Sequence, residues 1–226
     1  FTGETGTGKL IMQYASENLI PVTMELGGKS PNIFFKSVGD ADDAFFDKAV
    51  EGAVMFALNQ GEVCTCPSRI LVHEDIYERF MERVIERTKS IKMGNPLDPE
   101  TMMGAQASNE QFDKILGYME IGKQEGAKVL CGGTKKALNS GLENGFYIEP
   151  TILKGHNKMR VFQEEIFGPV LAVLRADDFE QALGIANGTA YALTGGVYSR
   201  RPAHLERARE QFHVGNLYLN RGITGA

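Results

Sequence analysis

Apolar positions along the 226-residue chain follow two spacings in alternation. Short, nearly continuous apolar runs are separated by longer stretches in which apolar residues recur every third or fourth position. The runs predict strands at residues 21–23, 32–35, 69–73, 128–131, 146–153, 170–175, 193–199 and 215–220. Several lack polar alternation, as strands covered on both faces do. The longer spacing predicts helices. Residues 41–60 carry Phe45, Val50, Val54, Phe56 and Leu58, with Asp42, Asp43 and Asp47 placed early, where the helix dipole favours acids. Residues 76–92 carry Phe80, Val84, Ile85 and Ile91 at helical spacing. Ser108, with Gln111 three residues on, has capping-box spacing and begins another helix. Residues 177–187 and 202–212 complete the set, the last with Pro202 at its start.

Strand–helix alternation at these lengths predicts an α/β fold, mainly a parallel sheet flanked by helices. Gly-containing joints lie at 94–99, 132–145 and 155–159. Residues 135–144 read as a surface loop, because a sheet strand resumes at once. The main domain is therefore expected from about Ser30 onward (30–226), with residues 1–29 the tail end of another unit. The chain opens on Phe1 inside a Gly/Thr-rich turn and stops just after a strand, so a piece of a longer protein is expected.

Composition narrows the function classes. With 42% hydrophobic and 23% charged residues, the chain can bury roughly 70% of its unfolded surface. The mean hydropathy is −0.21. The longest mainly apolar stretch, residues 49–58, is about half the ~20 residues of a membrane span, so no membrane partner is expected. A net charge of −5, from 24 Lys and Arg against 29 Asp and Glu, argues against a nucleic-acid partner. Three cysteines, an odd number, point to a reducing compartment. The first ten residues lack a basic-then-apolar leader pattern, and a cytoplasmic location is expected.

Three segments could carry chemistry. Gly3 and Gly8-Lys9 fit the spacing of a phosphate-binding P-loop. Position 10 is Leu, however, where magnesium binding needs Ser or Thr. The plainer reading is a glycine-rich turn entering a helix. The second segment is Glu25-Leu26-Gly27-Gly28-Lys29-Ser30-Pro31-Asn32, an acid followed by two glycines that let the backbone bend closely. Taken alone, Glu25 reads as a solvated acid before a turn. The third is Asn59-Gln60-Gly61-Glu62-Val63-Cys64-Thr65-Cys66. His73, His156, His204, His213 and Cys131 are scattered and offer this cysteine pair no complementary cluster, which argues against zinc.

These segments resemble a known family. Phe1-Thr2-Gly3, Glu25 to Lys29, Gln60 to Cys64 and Glu165-Ile166-Phe167-Gly168-Pro169-Val170 look like four ordered motifs of the NAD(P)-dependent aldehyde dehydrogenases. The stretches at 94–98, 149–153 and 215–220 support the likeness, which runs over essentially the whole chain. The resemblance implies that Cys64 is the nucleophile, forming a thiohemiacetal and then a thioester with a small aldehyde. It implies that Glu25 is the general base activating the hydrolytic water, and that the Cys64 amide supplies half of an oxyanion site. It also implies an Asn donor upstream of Phe1. Cys66 matches no catalytic position and reads as a packed thiol.

For the cofactor, NAD or NADP, the resemblance implies contacts at Gly3, Glu165 and Phe167. Glu165 would hold ribose hydroxyls, Phe167 would line the nicotinamide pocket, and Gly3 with the helix after it would meet the pyrophosphate. The family usually has Ser at position 4. This chain has Glu4, an acid that would face the phosphates. Residues 62–69 and 161–173 look like the acetaldehyde and small aliphatic type, whereas 212–226 look like the dehydrogenase for glutamate semialdehyde (1-pyrroline-5-carboxylate), with 221–226 in the substrate loop. That mixture suggests a chimera joined near 189–194. The expectation is an aldehyde dehydrogenase catalytic domain with a remnant of the cofactor domain. Alone it is expected to be inactive as a dehydrogenase and to self-associate through exposed domain-interface surface. Two alternatives stand beside it: an inert α/β assembly module, and a P-loop nucleotide binder at residues 3–10.

Overall fold

A computed structural model describes residues 1–139 and 141–224. Seven strands form one sheet: β1 (Pro31–Phe34), β2 (Arg69–His73), β3 (Lys128–Cys131), β4 (Thr151–Lys154), β5 (Val170–Ala176), β6 (Thr194–Tyr198) and β7 (Asn216–Leu219). Their order is β3-β4-β5-β2-β1-β6-β7, parallel throughout except for the antiparallel edge pair β3–β4. Helices α1 (Thr5–Glu17), α2 (Ala44–Val54), α3 (Glu74–Lys89), α4 (Asn109–Gln124), α5 (Arg160–Gln163), α6 (Phe179–Asn187) and α7 (Pro202–Gln211) connect or flank them. Among the described residues, no helix is long and apolar enough to cross a membrane.

Each central strand feeds two cores in alternation, as a period of two demands. Ile33 and Phe35 join one cluster with α4, α6 and α7, while Phe34 joins the other with α2 and α3. Leu71 belongs to the first, Ile70 and Val72 to the second. Along β5, Ala172 and Leu174 face the first and Leu171 and Val173 the second.

Most predicted elements form, with several corrections. Residues 21–23 are not a strand: they are exposed, with the Thr23 carbonyl accepting from the Phe1 amino group at 2.8 Å and an isolated bridge between Thr2 and Glu25 just beyond them. The predicted strand 146–153 shortens to its end, because Pro150 lacks an N–H and Ile148 bridges to Lys135 instead. The long helix predicted at 41–60 stops at Val54 and continues as a 3-10 turn, Met55–Gly61, broken where Leu58 turns extended. Ser108 does cap α4, accepting from the Gln111 amide at 3.1 Å. Gln111 sends its own side chain elsewhere, to the carbonyls of Ile166 (3.0 Å) and Phe167 (2.6 Å). Within the predicted loop 135–144, Ser140 lies outside the described residues, as do Gly225 and Ala226 of the stretch 221–226.

Candidate active site

Three loops enter three neighbouring strands of the sheet. Residues 25–30 lead into β1, 61–68 into β2 and 164–169 into β5, and these strands lie in the order β5-β2-β1. The register sets Pro31 beside Arg69 and Arg69 beside Ala172, so the amino ends are nearly level. Parallel pairing thus gathers all three loops at one end of the sheet. A cleft of about 20 Å³ forms there, lined by Gly28, Lys29, Cys64, Ser68, Glu165 and Phe167, among others.

The Cys64 loop is shaped by backbone geometry. Asn59 (φ 48°), Gln60 (φ 48°) and Gly61 (φ 76°) are successive left-handed residues. The two non-glycine members cost roughly 1–2 kcal/mol each, strain that surrounding structure must hold. It is held by the Glu62 amide on the Asn59 carbonyl (3.0 Å) and the Ala107 amide on the Glu62 carboxylate (3.0 Å). A side chain at Gly61 would collide with the Gly168 carbonyl, which binds this loop tightly to the one entering β5. Cys66 is buried and points its thiol at the Met55 and Leu58 carbonyls (3.4 and 3.7 Å). Burial, with the Cys64 charge behind it, pushes the Cys66 thiol up to about 12, as a packed thiol should behave.

Cys64 is half-buried. Burial first, then the charges of Glu165 and more weakly Glu25, push its thiol up, while the amides of Cys64 and Thr65 pull it back. Glu25 itself is exposed, strapped to the chain start by Gly3 N–H to its carbonyl (3.0 Å) and by its own N–H to the Phe1 carbonyl (2.9 Å). The glycines after it allow close approach: a Cβ at Gly28 would collide with the Cys64 carbonyl oxygen.

The adjacent acids Glu164 and Glu165 face different surroundings. Glu164 takes two bonds from Arg160 (both 2.8 Å) and one from the Tyr118 hydroxyl (2.7 Å), led by Arg160 in holding its carboxyl low. Glu165 turns inward and accepts the Gly28 amide at 2.9 Å. Burial raises its carboxyl, and that amide opposes the rise. Phe167 sits half-exposed at the cleft with φ 59°, a strained value for an aromatic residue.

Cys64, Glu165 and Phe167 therefore share one cleft, and Glu25 lies close enough for its charge to act on Cys64. Gly3 adjoins Glu25 but does not line the cleft, and its amide is used within the protein. Residues 5–9 are helical and Gly8 is buried against Leu26, so Gly3 to Lys9 form no phosphate-cradling loop. Glu4 caps α1, accepting from the Thr7 amide at 2.9 Å; the amides of Gly6 and Thr7 hold its carboxyl low. The amino end of α1 thus already carries an anion.

Two residues that sequence reasoning gave no role are buried at the cleft, Lys29 in its lining and Arg69 behind it. Arg69 is fully buried and donates to the carbonyls of Lys29 (3.0 Å), Ile185 (3.2 Å) and Ala186 (2.9 Å), and to Asn157 Oδ1 (3.1 Å). It closes the carboxyl end of α6, where a cation is favoured. Burial lowers its guanidinium to about 10. Lys29 is also fully buried.

Comparison with known proteins fits this geometry. A family-wide profile described as the aldehyde dehydrogenase family matches residues 1–226. An aldehyde dehydrogenase of Rhodospirillum rubrum is 60% identical over 220 residues, covering 97% of this chain and 44% of the relative. Acetaldehyde dehydrogenase 2 of Cupriavidus necator is likewise 60% identical, with the same two coverages. Among solved structures, betaine aldehyde dehydrogenase from Staphylococcus aureus, in complex with NAD+, superposes with a TM-score of 0.90 at 37% identity. That match covers 100% of this chain and 44% of the other. The chain thus spans less than half the length of the relatives it matches. A profile match over every residue, on a sheet that superposes throughout, establishes that this chain belongs to the aldehyde dehydrogenase family.

Proposed function

We propose that this chain carries the carbon–sulfur chemistry of aldehyde oxidation, with Cys64 as nucleophile and Glu25 as general base. The observation that carries the reading is the cleft itself, in which Cys64, Glu165 and Phe167 meet beside the Glu25 loop. A Cys64 thiolate attacks the carbonyl carbon of a small aldehyde and gives a tetrahedral thiohemiacetal. The Cys64 amide stabilises the developing oxyanion. Loss of hydride leaves a thioester on Cys64. Glu25, exposed to solvent, takes a proton from the water that hydrolyses it.

Bound NAD(P) supplies the hydride acceptor. The residues present fit its nicotinamide side: Glu165 is a half-buried acceptor for ribose hydroxyls, and Phe167 offers an aromatic face at the cleft. Glu4 opposes the pyrophosphate at the start of α1. Residues 1–29 then belong with a cofactor-binding unit and 30–226 with the catalytic unit. Exposed Leu10, Met12, Tyr14, Leu19 and Ile20 support an interface on the first of these, through which the chain would self-associate.

The test uses the 226-residue chain. Hydrolysis of an activated ester needs Cys64 and Glu25 but no cofactor, and is expected, with loss in Cys64→Ala and in Glu25→Gln. Aldehyde-dependent NADH formation by the chain alone is expected to stay at background, because binding energy from the adenosine half positions the nicotinamide. Ester hydrolysis that survives Cys64→Ala refutes the assignment of the nucleophile.

A further inference from the structure

One buried group lining the cleft is left unused by the nucleophile, the base and the cofactor contacts. Lys29 is 1% exposed, and its Nζ has no hydrogen-bond partner among the described residues. Ser68 lines the same cleft, and its Oγ is a second buried polar atom without a partner among those residues. The cavity of about 20 Å³ has room for about one water beside them. Lysine is rarely buried this deeply unless paired.

The charged groups facing Lys29 are Arg69 on β2, Lys114 on α4, and Glu165 and Glu164 on the turn after α5. Burial, then the Arg69 charge, pushes its ammonium form down to about 7, while the two glutamates pull it back. The amine therefore sits between its charged and neutral forms near neutral pH. Cys64 has the opposite difficulty. Its thiolate would be a further negative charge beside Glu165 and Glu25, in surroundings that screen poorly. Arg69 is committed to four acceptors, and among the residues lining the cleft Lys29 is the one cation.

We propose that Lys29 is a charge-positioning residue for Cys64: it gains a proton as Cys64 loses one, so the thiolate forms against an ammonium and the cleft keeps its net charge. The Cys64 S–H bond breaks, an N–H bond forms on Lys29, and one proton passes by way of solvent without any transfer of electrons between the partners. This rests on Cys64 being the nucleophile, yet its test needs no aldehyde turnover.

The test is the pH profile of Cys64 alkylation by iodoacetamide, resolved by peptide mass spectrometry, in the wild-type chain, Lys29→Met and Lys29→Arg. Lys29→Met is expected to move the half-point upward by about one pH unit and to slow alkylation ~10-fold at about pH 8. Lys29→Arg, with its fixed charge, restores the rate. A folded Lys29→Met with the wild-type profile overturns the proposal. Should Lys29→Met not fold, carbon-labelled lysine read by NMR decides: the Lys29 Cε titration is expected at higher pH in wild type than in Cys64→Ala. Identical titrations overturn the proposal. A wild-type Cys64 that stays unreactive at every pH sinks the nucleophile and this proposal together, an outcome distinct from a reactive Cys64 that ignores Lys29.

Discussion

Replacing Lys29 with Met should stabilise the protein, by an amount that depends on pH. Unfolded, the amine keeps its ordinary value of 10.5; folded, burial and Arg69 push it down to about 7. Between these values the unfolded chain binds more protons than the folded one, so stability falls as pH falls from about 10.5 toward about 7 and is then constant. At ~1.4 kcal/mol per pH unit across that window, burying the amine destabilises the fold by roughly 4–5 kcal/mol at neutral pH. Methionine is of similar length and carries no proton. Lys29→Met should therefore exceed wild type by roughly 3–5 kcal/mol at about pH 7. The advantage should shrink by ~1.4 kcal/mol per unit and vanish near pH 10.5. Urea denaturation of both proteins at several pH values, each carrying Cys64→Ala so that the remaining titrating groups cancel, measures the difference. A difference that stays flat with pH, or a Met variant less stable throughout, refutes the reasoning.

Arg69→Met should cost roughly 3–5 kcal/mol, because it leaves the buried carbonyls of Lys29 and Ala186 without their donor; thermal unfolding reads the loss, and an unchanged midpoint counts against it. Gly28→Ala should lower ester hydrolysis by ~100-fold or more with the fold intact, since its Cβ drives the Glu25 loop off the Cys64 carbonyl. Wild-type rates in the Ala variant would show that the close approach is idle. Glu4→Ser should bind NADH more tightly by calorimetric titration, because it removes the carboxylate from the start of α1 while a hydroxyl can still cap Thr7. Equal or weaker binding refutes the competition.

The centre of the sheet was legible because β1, β2, β5 and β6 are short apolar runs buried on both faces, and the spacing of Phe80 and Val84 or the Ser108 cap needs no tertiary information. The failures share a cause. Pro21 to Thr23 are apolar enough for a strand but find no pairing strand among the described residues, and the break at Leu58 to Gly61 is imposed by contact with the loop entering β5. Cys64 and Glu25 could be picked out by motif resemblance, whereas periodicity gives them no role. The inward turn of Glu165, and the burial of Lys29 and Arg69, depend on partners more than 30 residues away, so local sequence is silent about them.

Hydrophobic alternation along β1, β2 and β5 defines faces but is indifferent to displacement by two residues. Such a slip returns every side chain to its own core and carries the entering loop ~6.6 Å along the sheet. A protein aligned by its cores alone could settle with Cys64 and Glu165 out of reach of one another. The meeting of Gly28 with the Cys64 carbonyl, and of Gly61 with Gly168, leaves no such latitude. These backbone junctions act as keys between loops: the cores supply cohesion, and two missing side chains supply alignment.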